Sequence, residues 1–212
     1  MKFSEEMLLL YAVTDRAWTG RLTLLEQVEL ALQGGVTMVQ LREKGLSEGS
    51  IIAEAKELKE LCRRYSVPLI INDNADIALE VGADGVHLGI EDAPVAEIRR
   101  KAGSDFIIGA TAKTVAQAQA AQAAGADYLG VGAVFPSPTK QNAIRITAEQ
   151  LKTICKSVSI PAAAIGGIGL QNMSELEGGG MKGVAVVSAI FGAEDIRSAA
   201  EKLKEKAQEL CR

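Results

Sequence analysis

The chain has 212 residues, enough for one sizeable domain, and its 48% apolar and 24% charged content is ordinary for a globular protein. A net charge of −4 argues against a nucleic-acid partner, which needs a basic face, yet leaves room for a small anion met by a few local cations. No apolar run approaches the roughly 20 residues of a membrane span, no leader pattern opens the chain, and Cys62, Cys155 and Cys211 lack metal-ligand spacing, so a cytoplasmic protein with free thiols is expected.

Short apolar strands alternate with longer amphipathic stretches. Leu8–Val13 reads as a strand and Thr23–Gln33 as a helix closed by Gly34-Gly35. Met38–Arg42 is the second strand, and a long helix over Ser47–Tyr65 follows, with Ser47 placed to cap it. The series continues with strand Pro68–Ile71, a short helix near Ala75–Glu80, strand Gly85–Leu88, helix Pro94–Lys101, strand Phe106–Ala110 and the Ala/Gln-rich helix Val115–Ala124. After strand Tyr128–Val131 the loop Phe135–Arg145 intervenes, with the length and position of a lid, before helix Ala148–Ser157. Strand Pro161–Ile165, a helix near Leu170–Glu177, strand Gly183–Val187 and helix Ile196–Leu210 complete it.

Eight apolar strands, each followed by a helical segment, predict a parallel sheet covered on both faces. A single (β/α)8 TIM barrel over residues 1–212 is the expected fold. An open doubly wound sheet is the alternative, weakened because no Gly-x-Gly-x-x-Gly follows the first strand. A weak repeat supports closure: Gly34-Gly35, Gly82, Gly125 and Gly179-Gly180 each end a helix and precede a strand, where a left-handed residue is needed.

Reacting groups of such barrels sit at the C-terminal ends of strands. Polar residues or glycines stand at nearly every one, from Thr14-Asp15 and Gln40/Arg42/Glu43/Lys44 round to Gly166-Gly167 and Val187-Ser188. Two places could hold phosphate. Ile165-Gly166-Gly167-Ile168 and Val187-Ser188 offer backbone N–H groups to an anion, although Gly-Gly also simply makes a tight turn. Arg42, Lys44 and Lys140 form a cationic rim, although alone they equally suit an exposed charge cluster. Asn72-Asp73 and Glu91-Asp92 bring carboxylates from adjacent strands to one mouth, as Mg²⁺ bridging to a diphosphate requires; N-capping by Asp73 and Asp92 explains them as well. His87, the single histidine, fits a hydrogen-bonded barrel interior at least as well as a general base.

Read in order, Gln40-Leu41-Arg42-Glu43-Lys44, Ile71-Asn72-Asp73, Ala83 through Gly89 with Glu91-Asp92, Asp127 through Gly132, Phe135 through Lys140 and Ile165 through Ile168 make the chain resemble the thiamine phosphate synthase family over nearly its whole length. The resemblance implies a transferase that joins 4-amino-5-hydroxymethyl-2-methylpyrimidine diphosphate to a thiazole phosphate, giving thiamine phosphate and pyrophosphate after the bond to diphosphate breaks first. By position it implies that Gln40, Arg42, Lys44, Asn72, Thr111 and Lys140 hold the pyrimidine diphosphate, with Arg42, Lys44 and Lys140 as the catalytic cations. Asp73 and Asp92 would bind Mg²⁺, and Ser137, Pro138, Thr139, Gly167, Val187 and Ser188 would hold the thiazole phosphate. Thr111 and Lys113 depart from the family's serine and histidine.

The thiazole tautomerase branch of the same superfamily tends to lose the lysine and aspartates retained here as Lys44, Asp73 and Asp92, so the synthase is favoured. A silent binder of thiazole phosphate would need only the Gly166-Gly167 and Ser188 site, and an aldolase would want a lysine at a strand centre, where none stands. The substrates are small molecules, with no nucleic acid or membrane implied; homo-oligomerisation is left open.

Overall fold

A computed structural model describes residues 2–20, 22–137 and 144–211. Eight parallel strands close on themselves: β1 Leu10–Val13, β2 Met38–Leu41, β3 Leu69–Asn72, β4 Gly85–Leu88, β5 Ile107–Ala112, β6 Tyr128–Gly132, β7 Ala162–Ile165 and β8 Gly183–Val186. Closure is made by β8 pairing with β1, with Leu10 opposite Val184 and Ala12 opposite Val186. The expected barrel is therefore the fold, and the open sheet is excluded.

Strand residues alternate between two cores, because successive side chains point to opposite faces. Tyr11 and Val13 of β1 face inward, with Met38, Ile70, Ile107, Tyr128, Ala163 and Ala185. Leu10 and Ala12 face outward into the larger core between sheet and helices. The outer layer is α1 Leu24–Gln33, α2 Glu48–Arg64, α3 Ala75–Val81, α4 Val95–Ala102, α5 Val115–Ala123, α6 Ala148–Lys156, the short α7 Ser188–Phe191 and α8 Ile196–Leu210. Thr23 and Thr147 start α1 and α6 with reciprocal capping boxes to Glu26 and Gln150, and Ser47 caps α2 as expected. Among the described residues no helix is long and apolar enough to cross a membrane.

The repeat has a second structural cause. Gly35, Gly82, Gly125 and Gly180 all have positive φ, which ends the helix. Two residues further on, Thr37, Asp84 and Asp127 use a side-chain oxygen to accept the N–H of Leu10, Leu69 and Ile108, which lies at or near the start of the preceding strand. Strand-opening donors that the barrel ladder leaves over are satisfied in this way.

The short α7, where no helix is predicted, and two further elements differ from expectation. Leu8 belongs to a 3₁₀ turn over Glu5–Leu8 rather than to the first strand; its fully buried side chain joins the inner core ahead of β1. A run of apolar residues reads the same whether it extends a strand or closes a barrel end. The predicted helix near Leu170–Glu177 is only a 3₁₀ turn over Met173–Leu176, since Gly178 to Gly180 follow at once.

Candidate active site

A cavity of ≈ 270 Å³ opens at the C-terminal ends of the strands. Its floor is polar but neutral. Gln40 of β2 and His87 of β4 are buried there, and Thr111 of β5 reaches it beside Asn72 of β3. His87 Nδ1 lies 3.1 Å from Tyr128 Oη, and its Nε2 lies 3.1 Å from Thr111 Oγ1. Burial, opposed by the nearby Asp73 charge, lowers the imidazole to about 4, so it is neutral near pH 7. The interior placement expected for this histidine is correct, and it is a wall of the site as well.

Arg42 and Lys44 stand just past β2 on the cavity side. Thr14 fixes the backbone there, its Oγ1 accepting the Arg42 N–H at 2.9 Å, and Asp15 accepts from the Arg42 guanidinium at 3.3 Å. Glu43, between them, points the other way into the helix layer, its side chain only 1% exposed, and takes Arg16 Nε at 2.9 Å. Burial raises its carboxyl, and the Arg16 guanidinium, shared with Glu54, opposes the shift. This alternation is what puts both rim cations on one side. Lys113, after β5, adds a third cation to the lining.

Neither aspartate caps a helix. Asn74 caps α3 through its side chain, and Pro94 precedes α4 without a side-chain cap. Asp73 instead adopts φ 63°, a left-handed conformation that Asp tolerates, and meets Lys44 Nζ at 3.0 Å. Asp92 Oδ2 accepts the Gly89 N–H at 2.6 Å, and its carboxyl and that of Asp73 act on each other electrostatically. Burial would raise Asp73, but Lys44, Asp92 and Asn72 together hold it below the usual carboxylate range; burial and then the Asp73 charge hold Asp92 above it. Two hard carboxylates that interact in this way fit a cation such as Mg²⁺ that completes its shell with water and phosphate oxygens. Among the described residues no group of three or more His, Cys, Asp or Glu forms a fuller metal site. Asp73 lines the cavity, whereas Asp92 stands behind it and is not part of the wall.

Across the cavity, Gly166 and Gly167 follow β7 at φ 100° and 65°, and Val187 and Ser188 follow β8. A Cβ on Gly167 would lie 2.2 Å from the Pro136 carbonyl oxygen, so the turn is packed against the loop after β6 as well as conformationally demanding. Asn172 grips this turn from outside, donating to the Gly167 carbonyl at 2.9 Å and accepting from the Gly169 N–H at 2.9 Å. In α7 the N–H groups of Ile190 and Phe191 return to the Val187 carbonyl, which leaves those of Ser188 and Ala189 as the first-turn donors beside the cavity. Ser137 also lines this side; Pro138, Thr139 and Lys140 lie outside the described residues.

The cavity thus gathers Gln40, Arg42, Lys44, Asn72, Asp73 and Thr111 on one side and Ser137, Gly167, Val187 and Ser188 on the other. Missing from the sequence reading are Tyr11 and Tyr128, which stand beneath the floor. Gly109 and Gly130, glycines inside strands, were the available signal, because such positions mark close approach by something bulky.

Fold and site together define a (β/α)8-barrel enzyme whose mouth is lined by Arg42, Lys44 and Lys113. The family described as thiamine monophosphate synthase matches residues 10–190. Thiamine-phosphate synthase of Ruminiclostridium cellulolyticum is 50% identical over 196 residues, covering 92% of this chain and 93% of that protein. Thiamine-phosphate synthase 2 of Streptococcus pneumoniae is 47% identical over 195 residues, covering 92% and 93%. The solved thiamine phosphate pyrophosphorylase from Pyrococcus furiosus superposes with a TM-score of 0.89 at 39% identity, covering 98% of this chain and 99% of that one. A 3-hexulose-6-phosphate synthase structure, at 16% identity and a TM-score of 0.67, shares the fold alone. The chain belongs to the thiamine-phosphate synthase family and is a transferase of that class.

Proposed function

We propose that the chain joins 4-amino-5-hydroxymethyl-2-methylpyrimidine diphosphate to thiazole phosphate in a magnesium-dependent reaction. The observation that carries this is that one cavity is lined both by Arg42, Lys44 and Asp73, which follow β2 and β3, and by Gly167 and Ser188, which follow β7 and β8. A diphosphate suits the first, where cations stand, and a monophosphate the second, where backbone N–H groups stand, and the neutral floor accepts the uncharged ring.

In the reaction the C–O bond between the pyrimidine methylene and the diphosphate breaks, and its electron pair leaves with the diphosphate oxygen. The thiazole ring nitrogen then donates its lone pair to the methylene carbon, forming the C–N bond of thiamine phosphate and releasing pyrophosphate. Arg42 and Lys44, at the edge of the cavity, attract charge as it gathers on the leaving group. Lys140, carried over by family resemblance, is assigned the same role. Asp73 and Asp92 are assigned to hold Mg²⁺, which when bound would neutralise further charge on the diphosphate. Ser137, Pro138, Thr139, Gly167, Val187 and Ser188 are assigned to the thiazole phosphate. No side-chain nucleophile is required, and Cys62 is buried and pushed up to about 12, unsuited to be one. A cytoplasmic location is in keeping with free thiols.

The test is a coupling assay with both substrates and Mg²⁺. Pyrophosphate should appear in step with thiamine phosphate and should need the thiazole phosphate. Isomerisation of a thiazole phosphate without pyrophosphate release would instead place the chain with the tautomerases.

A further inference from the structure

Beneath the cavity floor a chain of hydrogen bonds crosses the barrel from β2 to β5. Gln40 Nε2 donates to Tyr11 Oη at 2.6 Å, Tyr11 Oη lies 2.8 Å from Tyr128 Oη, and His87 continues from Tyr128 to Thr111 at 3.1 Å on each side. Gln40, His87 and Thr111 line the cavity; Tyr11 and Tyr128 do not. Both phenols are fully buried, and the strands give way to fit them. A Cβ on Gly109 would lie 2.2 Å from Tyr128 Cζ and 2.6 Å from His87 Nδ1, and one on Gly130 would lie 2.9 Å from His87 Cε1.

The direction of donation follows from the Gln40 amide, whose nitrogen faces Tyr11, together with satisfaction of the buried hydrogens beyond it. Tyr11 already accepts from Gln40. If it also accepted from Tyr128, its own hydrogen would have no acceptor among the described residues. So Tyr11 donates to Tyr128, Tyr128 donates to His87 Nδ1, and the imidazole carries its proton on Nε2 and donates it to Thr111. The Thr111 hydroxyl hydrogen is then left for the cavity, while at the other end the Gln40 amide, with its nitrogen on Tyr11, keeps its carbonyl oxygen as an acceptor. A hydroxyl that must donate suits an anion's oxygen, and a carbonyl that must accept suits an amine.

We propose that Tyr11, Tyr128 and His87 are positioning residues that set the hydrogen-bonding polarity of Gln40 and Thr111 together, matching one to the pyrimidine amine and the other to the diphosphate. This rests on the reaction proposed above. The chain is neutral along its length, since burial raises both phenols well above their ordinary range. It therefore orients substrate without competing with the rim for the anion's charge.

Because His87 is the only histidine, ¹⁵N-histidine labelling reads its tautomer without assignment. The wild-type protein should show the Nε2–H form at neutral pH, and an Nδ1–H form or an imidazolium would overturn the proposal. Tyr128→Phe and Tyr11→Phe remove only oxygens. Each should raise KM for the pyrimidine diphosphate tenfold or more and leave KM for the thiazole phosphate within twofold. The double variant should be within twofold of the worse single, because a chain broken twice is no more broken. KM values unchanged in both variants, or raised equally for both substrates, would overturn it. If the wild type releases no pyrophosphate the proposed reaction fails, whereas the tautomer still decides the direction of the chain.

Discussion

Lys44 Nζ lies 3.0 Å from Asp73 Oδ2, so the cation ending the second strand's loop is tied to the carboxylate ending the third strand. The pair is half open to solvent and adds little to stability. Its effect is positional: it holds a positive and a negative group at one edge of the cavity, where a diphosphate and its metal would meet both.

Asp73→Asn keeps a residue that tolerates φ 63° and removes the charge. Turnover at saturating substrates is expected to fall by about 10²-fold or more, the size typical of losing one well-aimed electrostatic group. Chelation of divalent metal should abolish pyrophosphate release in the wild type, and added Mg²⁺ should restore it. Near-normal kcat in Asp73→Asn, with metal-independent turnover, would remove the carboxylates from the mechanism.

On the opposite wall, Ser188 opens α7 beside the positive-φ turn at Gly167. Ser188→Ala keeps the backbone N–H and loses the hydroxyl, worth about 1 kcal/mol if it binds the phosphate. KM for the thiazole phosphate should rise by about fivefold and that for the pyrimidine diphosphate should not move. Gly167→Ala must also displace the Pro136 carbonyl, so it should raise the thiazole KM further and lower the melting temperature. Steady-state kinetics with each substrate varied in turn separates these outcomes.

The barrel was legible because its eight strands are short, apolar and punctuated by helix-ending glycines; β4 and α8 have the predicted bounds. The rim was legible too, since residues two apart share a side, as Arg42 and Lys44 do. The carboxylates were ambiguous for a physical reason: an Asp ahead of a helix reads as a cap, and only the backbone turn at Asp73, which passes capping to Asn74, decides otherwise. The buried chain was not legible. Its members lie on β1, β2, β4, β5 and β6, and which inward residues meet across a barrel depends on register and stagger.

Arg99 is the fixed point between α4 and the two strands that follow. Its guanidinium donates to the carbonyls of Gly103, Phe106 and Gly125 and to Asp127 Oδ2, and that same oxygen accepts the Ile108 N–H at 2.7 Å. A lysine cannot reproduce this planar fork. Arg99→Lys should cost about 2–3 kcal/mol, from several carbonyls losing a charged donor at once. Denaturant unfolding should show a lower midpoint with an unchanged slope, and KM values should stay near wild type because Arg99 does not line the cavity.

His87 links the site to stability at low pH. Its value falls from 6.5 to about 4 on folding, chiefly through burial. Between those values the unfolded chain binds the proton and the folded one does not, so this contribution is fully present above about pH 6.5 and is lost as pH falls toward 4. At about pH 5 the loss is about 2 kcal/mol, most of the 1.36 kcal/mol per unit that the shift allows over that interval. His87→Gln cannot titrate there. Unfolding free energies measured at about pH 7.5 and pH 5 should therefore fall by about 2 kcal/mol more in the wild type than in His87→Gln. An equal fall in both proteins would mean that the imidazole takes up its proton inside the folded barrel.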